Sequence, residues 1–183
     1  MLEESMMMSK LSAGAVFPKI ELPTLNASLV EIAKPQGSAD WRLVVIYRGK
    51  HCLLCTRYLN ELETLQAEFK NIGVDVIAVS ADSKEQLQQH MEKLHVSFPI
   101  AYGLNFEQMK SLGLYVSSPR SEQETDHLFA EPGLFVVNEQ GQVQVVDISN
   151  APFARPDLKT LLAGIEFIRN PANNYPIRGT YEK

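Results

Sequence analysis

The run WRLVVIYRG, residues 41–49, constrains the fold more than any other stretch of the chain. It is apolar and β-branched on both alternating faces, and Gly49 ends it, the pattern of a strand covered on two sides. Such a strand needs a packed layer on each face. The next residues supply one: Leu54, Tyr58, Leu62, Leu65 and Phe69 recur at spacings of four, four, three and four, one apolar helical stripe. Asn71-Ile72-Gly73 then closes that helix with a C-terminal glycine, and VDVIAVS (74–80) reads as a second buried strand.

The remaining elements follow the same alternation. FPKIELP and SLVEIA are two short strands turning at Asn26. Ser83 and Gln86 make a capping-box pair opening a helix with Leu87, Met91 and Leu94 on its core face. FPIAY is a short extended piece. Asn105 caps a helix carrying Phe106, Met109 and Leu112, stopped by Gly113. Residues 115–131 read as a polar loop rich in Ser and Glu, in which His127 is expected to be solvated. GLFVVNEQGQVQVVDIS predicts an antiparallel hairpin turning at Asn138–Gly141, and a last helix runs from about Pro156 to Arg169. Strand–helix alternation followed by a hairpin and a helix gives an α/β fold, a central mixed sheet flanked by helices with an N-terminal β-hairpin. At 183 residues the chain is read as a flexible lead-in (1–12), one domain (13–170) and an extended tail (171–183). The tail, with Tyr175 and Tyr181, is expected on the domain surface or against another subunit, and a homodimer is one arrangement this allows.

Charge and composition exclude whole classes of function. Seventeen Lys and Arg against twenty-two Asp and Glu leave a net charge of −5, with no basic run to grip a phosphate backbone, so no nucleic-acid partner is expected. No apolar stretch reaches the ~18 residues of a membrane span. The start MLEESMMMSK puts acidic residues where a secretory signal carries positive charge, and the expected location is cytoplasmic.

Two cysteines are present, Cys52 and Cys55, in one C-x-x-C at the junction of the buried strand and the first helix. The first N–H groups of a helix lack intrahelical partners and carry partial positive charge. A thiolate there is stabilised, so Cys52 is expected below the free value of ~8.5, and one turn on Cys55 lies within disulfide reach. Two inert structural cysteines are the plain alternative. A zinc site from Cys52, Cys55, His90 and His95 is another, because the two histidines have H-x₄-H spacing. His51 either pairs as imidazolium with the Cys52 thiolate or is a solvated loop residue. Arg48 either pins a loop or stabilises a thiolate.

LVVIYRGKHCLLC, the following helix, VDVIAVSADS, FPIAY and EPGLFVVNEQGQV together resemble the peroxiredoxins, the alkyl hydroperoxide reductase / thiol-specific antioxidant branch of the thioredoxin fold. The resemblance covers most of residues 17–148. On the peroxiredoxin motif P-x-x-x-T-x-x-C, Cys55 takes the peroxidatic position, Arg48 stands at the family's Pro and Cys52 at its Thr. The family's activating Arg falls near Pro132. On the thioredoxin motif, Cys52 attacks and Cys55 resolves, and Pro132 takes the place of the cis-proline that faces the redox pair. That comparison implies a cis Glu131–Pro132 bond. It also puts Ile46 where thioredoxins carry a buried Asp, so the proton leaving Cys55 needs another acceptor.

The resemblance implies a thiol–disulfide oxidoreductase cycling Cys52 and Cys55, with Cys52, Cys55, Arg48, His51 and Pro132 as its site. Its substrates would be a small hydroperoxide or a protein disulfide, its electron source a thiol partner such as thioredoxin or glutathione, and no bound cofactor or metal is implied. A disulfide reductase without peroxidase activity and a non-catalytic redox-sensing or metal-binding module are the alternatives.

Overall fold

The computed structural model describes residues 10–26 and 28–182. The lead-in expected at 1–12 therefore lies mostly outside the described residues. The N-terminal hairpin is β1 (Glu21–Pro23) with β2 (Leu29–Glu31), Leu22 opposite Val30. The Asn26 carboxamide oxygen accepts from the Ser28 amide at 3.1 Å and fixes the turn. Next come β3 (Trp41–Ile46), α1 (Leu53–Asn71), β4 (Val74–Val79), α2 (Lys84–His90), β5 (Ile100–Ala101) and α3 (Phe106–Ser111). The chain continues through β6 (Val116–Ser117), β7 (Phe129–Ala130), β8 (Gly133–Val137), β9 (Val143–Ile148) and α4 (Leu158–Arg169) to a 3₁₀ turn at Pro171–Asn173.

Five strands form the central sheet in the order β5-β4-β3-β8-β9. β3 runs parallel to β4 and antiparallel to β8, so the sheet is mixed as expected. Residues of β3 divide between two cores. Trp41, Leu43 and Val45 join one with Leu59, Leu62 and Phe69 of α1 and Leu158 and Ile165 of α4, and Val44 and Ile46 join the other with Ile32, Met109 and Leu112. The continuous apolar run thus reports a strand with a layer on each face.

Two elements depart from the sequence reading. α2 ends at His90, before Met91 and Leu94. A side chain of α1 competes for the backbone there: Asn60 donates to Lys93 O at 3.1 Å and accepts from His95 N at 2.9 Å. Leu94 still reaches the core, from a turn. The stretch 115–131 is not loop throughout, because β6 and β7 pair antiparallel, Val116 with Ala130 and Ser117 with Phe129. Two-residue strands are too short to show a period.

Candidate active site

β3 delivers the chain to the site. After Ile46, the Tyr47 amide still bonds to Val79 O at 3.0 Å. The backbone then turns at Gly49, whose φ of +134° is a conformation open to glycine. Cys52 N donates to Gly49 O at 3.2 Å, and Cys52 becomes the N-cap of α1, its Sγ accepting from the Cys55 amide at 3.2 Å. The Cys52 sulfur therefore caps the helix where a Ser or Asp side chain usually does. Both cysteines are free thiols. Cys52 is 4% exposed and Cys55 fully buried, while Leu53 and Leu54 between them are 64% and 40% exposed.

The two sulfurs are driven apart in acidity. The hydrogen bond from Cys55 lowers the pKa of Cys52, outweighing burial, with the Arg155 and Arg48 guanidinium groups pulling the same way. Burial raises that of Cys55, and the neighbouring Cys52 raises it further, against the pull of Arg155. In the reduced pair the charge is thus favoured on Cys52 and the proton on Cys55.

Arg155 was not legible in the sequence. Its Nη2 donates to Cys55 Sγ at 2.7 Å from 100 positions further along the chain. Its guanidinium stacks on the Tyr58 ring at 4.8 Å, and the Tyr58 hydroxyl donates to Pro156 O at 2.8 Å, which holds the segment ahead of α4 against α1. The one signal in the sequence is a cation just before Pro156 at the start of a helix.

Arg48 is held rather than free. Its Nε lies 3.2 Å from Glu131 Oε2 and its guanidinium 4.8 Å from the Phe129 ring centroid, while Glu131 Oε1 accepts from the Ser117 hydroxyl at 2.7 Å. The β6–β7 ladder is thus what orients Arg48. His51 packs edge-on against Phe129, with ring centroids 4.6 Å apart. Burial and then Arg48 lower its pKa, which disfavours the imidazolium, and the cations that favour the Cys52 thiolate are Arg155 and Arg48.

The expected cis bond at Pro132 is not present, since every peptide bond among the described residues is trans. Glu131 is fixed on both sides, its amide donating to Tyr115 O and its carboxylate facing Arg48. The chain passes straight from β7 into β8, where trans is the lower-energy form by ~0.5–1 kcal/mol. Pro132 borders a small crevice with Tyr58 and Arg155, and Arg155 is the group that touches Cys55.

The histidines are placed elsewhere than a zinc site requires. His90 is buried with Nε2 2.8 Å from the Thr56 hydroxyl, and the His95 amide is taken by Asn60. Among the described residues no group of three or more His, Cys, Asp or Glu is arranged to hold a metal. His127, expected in solvent, is partly buried against Asp82, its Nε2 3.3 Å from Oδ1.

Residues 13–146 match the AhpC/TSA family. The chain belongs to that family. It is 30% identical over 96 residues to the thiol-disulfide oxidoreductase ResA of Halalkalibacterium halodurans, covering 51% of this chain and about half, 53%, of that relative. It is 29% identical over 108 residues to peroxiredoxin Bcp of Escherichia coli K12, covering 59% of this chain and 68% of that one. Among solved structures, a mutant of peroxiredoxin 6 from Arenicola marina superposes with a TM-score of 0.73 at 20% identity, over 88% of this chain and 74% of that one. The AhpC/TSA chain described here thus has the thioredoxin fold of the peroxiredoxins, and in class it is a peroxiredoxin-like thiol oxidoreductase. Among the described residues no helix is long and apolar enough to cross a membrane.

Proposed function

We propose that Cys52 is the attacking thiolate and Cys55 the resolving thiol of a dithiol–disulfide cycle that reduces hydroperoxides or disulfides. The observation that carries this is the split between the sulfurs: Cys52 Sγ caps α1, accepting from the Cys55 amide at 3.2 Å, while Cys55 is fully buried, where burial pushes its thiol pKa up. With a hydroperoxide, the Cys52 thiolate attacks the distal peroxide oxygen and breaks the O–O bond. The alkoxide leaves and takes a proton from solvent to become the alcohol, and Cys52 becomes a sulfenic acid. Cys55 then attacks Cys52, releasing water and closing the disulfide. A thiol of the thioredoxin or glutathione class restores both sulfurs by exchange, and the reducing cytoplasm is the compartment that supplies it. Arg155 supports this order, since a guanidinium on Cys55 Sγ stabilises the charge that sulfur carries as it attacks or leaves. Arg48 serves as a second cation for Cys52, His51 and Pro132 line the site, and no cofactor is invoked.

The same Arg155 contact favours a second reading, in which a small peroxide reacts at Cys55, the position the peroxiredoxin motif assigns. Single mutants separate the two. In the first reading Cys55→Ser accumulates a trappable sulfenic acid, or a mixed disulfide, at Cys52. In the second, Cys52→Ser accumulates the sulfenic acid at Cys55. Rapid mixing of the anaerobic reduced protein with hydrogen peroxide, followed by mapping of the labelled peptide, reads out both. No adduct in either mutant, with peroxide or with a disulfide, would leave a non-catalytic pair.

A further inference from the structure

Asp82 is fully buried in the turn between β4 and α2, and its carboxylate meets two other segments. One oxygen accepts from the Lys50 amide at 2.8 Å, in the turn that leads into Cys52. The carboxylate also lies flat on Gly49, so that a Cβ placed there would sit 2.5 Å from Oδ1. That same Oδ1 faces His127 Nε2 at 3.3 Å, and His127 is carried by the segment between β6 and β7. On its far side His127 Nδ1 lies 2.7 Å from Leu128 O. A carbonyl can only accept, so Nδ1 is an N–H donor, and a neutral ring would point its remaining lone pair at the carboxylate. Only the imidazolium presents N–H to both partners.

We infer that Asp82 and His127 form a proton-dependent clasp that positions the Cys52 turn and tunes the reactivity of its thiolate. The clasp has a mechanical route to the sulfur. Immediately after His127 the chain enters β7, whose Phe129 packs on His51 and Arg48 and whose continuation, Glu131, pairs with Arg48. On the other side Gln86 of α2 donates to Asp126 at 2.9 Å and ties down the same segment. Closing the clasp therefore sets both the backbone ahead of Cys52 and the guanidinium that favours its thiolate.

The charged and titratable groups around His127 are Asp82 from the β4–α2 turn, Asp126 beside it, and His51 from the Cys52 turn, which has Arg48 and Glu124 next to it. Lys50 and His90 adjoin Asp82. The Asp82 carboxylate facing Nε2 is the largest influence on His127 and raises its pKa, against the opposing effect of burial. A raised histidine stabilises the fold below its unfolded value of ~6.5 and loses that contribution as pH rises through the folded value. The clasp is thus closed on the acid side of that transition and opens on the alkaline side.

Only the consequence for turnover rests on the redox reading proposed above; the clasp and its effect on Cys52 do not. The test accordingly uses no turnover. NMR titration of the reduced protein is expected to show His127 titrating above ~6.5, with its midpoint falling in Asp82→Asn, which keeps an oxygen for the Lys50 amide but removes the charge. Alkylation of Cys52 by iodoacetamide at pH 6 is expected to be roughly two- to fivefold slower in His127→Ala. His127→Lys, which keeps a cation against Asp82, is expected to restore the rate and hold it as pH rises. A wild-type His127 midpoint at or below ~6.5, or an unchanged alkylation profile in His127→Ala, overturns the clasp. If His127→Ala does not fold, the shift of the His127 midpoint in Asp82→Asn decides alone. A chain with the clasp but without oxidoreductase activity would pass this test and fail the sulfenic-acid trapping.

Discussion

At the scale of single side chains, Cys52 and Cys55 differ in what faces them: an amide meets the first sulfur and a guanidinium the second. The Cys52 end of this arrangement is legible in the sequence, because a strand–helix junction specifies both helix-end amides and a partial positive charge. Arg155 is not, since its contact is made across 100 positions and depends on how the segment ahead of α4 docks on Tyr58. Its removal is an informative substitution. A hydrogen bond to a charged group is worth about 1.5–3 kcal/mol, so Arg155→Ala is expected to slow disulfide closure through Cys55 by roughly ten- to a hundredfold. Cys52 alkylation should change much less. Stopped-flow measurement after a peroxide pulse checks this, and an unchanged closure rate would make the contact a packing feature only.

At the scale of elements, α1 begins where it does because Gly49 lets the chain turn under Asp82 and Cys52 supplies the cap. Gly49→Ala puts a Cβ into the carboxylate at a φ of +134°, and a cost of about 1–3 kcal/mol is expected from backbone strain alone. The variant should melt earlier and lose part of the lowered Cys52 pKa, so its thiolate absorbance should appear at higher pH. A wild-type melting temperature and titration would show that the turn relaxes freely. The long elements were readable because their patterns run long: five apolar positions at helical spacing fix α1, and continuous β-branched apolar runs fix β3 and β4. The end of α2 was not, because Asn60 of another helix decides it. The β6–β7 ladder was hidden for a different reason. Its strands have two residues each, and their worth lies in orienting Arg48 through Phe129 and Glu131.

For the whole molecule, the sheet separates two cores, and Arg42 pairs with Asp75 across the β3–β4 ladder. Arg42 is fully buried and also donates to Lys34 O at 3.0 Å. Loss of one partner of a buried pair strands the other, so Asp75→Ala is expected to cost about 3–5 kcal/mol of stability. Below its lowered melting point the variant should alkylate at Cys52 as the wild type does, because the pair lies at the start of β3 and the thiols beyond its end. Equal stability by denaturant titration would show that Arg42 finds another acceptor. The redox end of the molecule carries the opposite feature, Leu53 and Leu54 standing in water between two buried sulfurs. Any macromolecule that brings a disulfide to Cys52 must cover Leu53. Covering apolar surface lowers the heat capacity of the complex, so such an encounter carries its own temperature dependence, and its enthalpy becomes more favourable on warming even where no charge is shared between the partners.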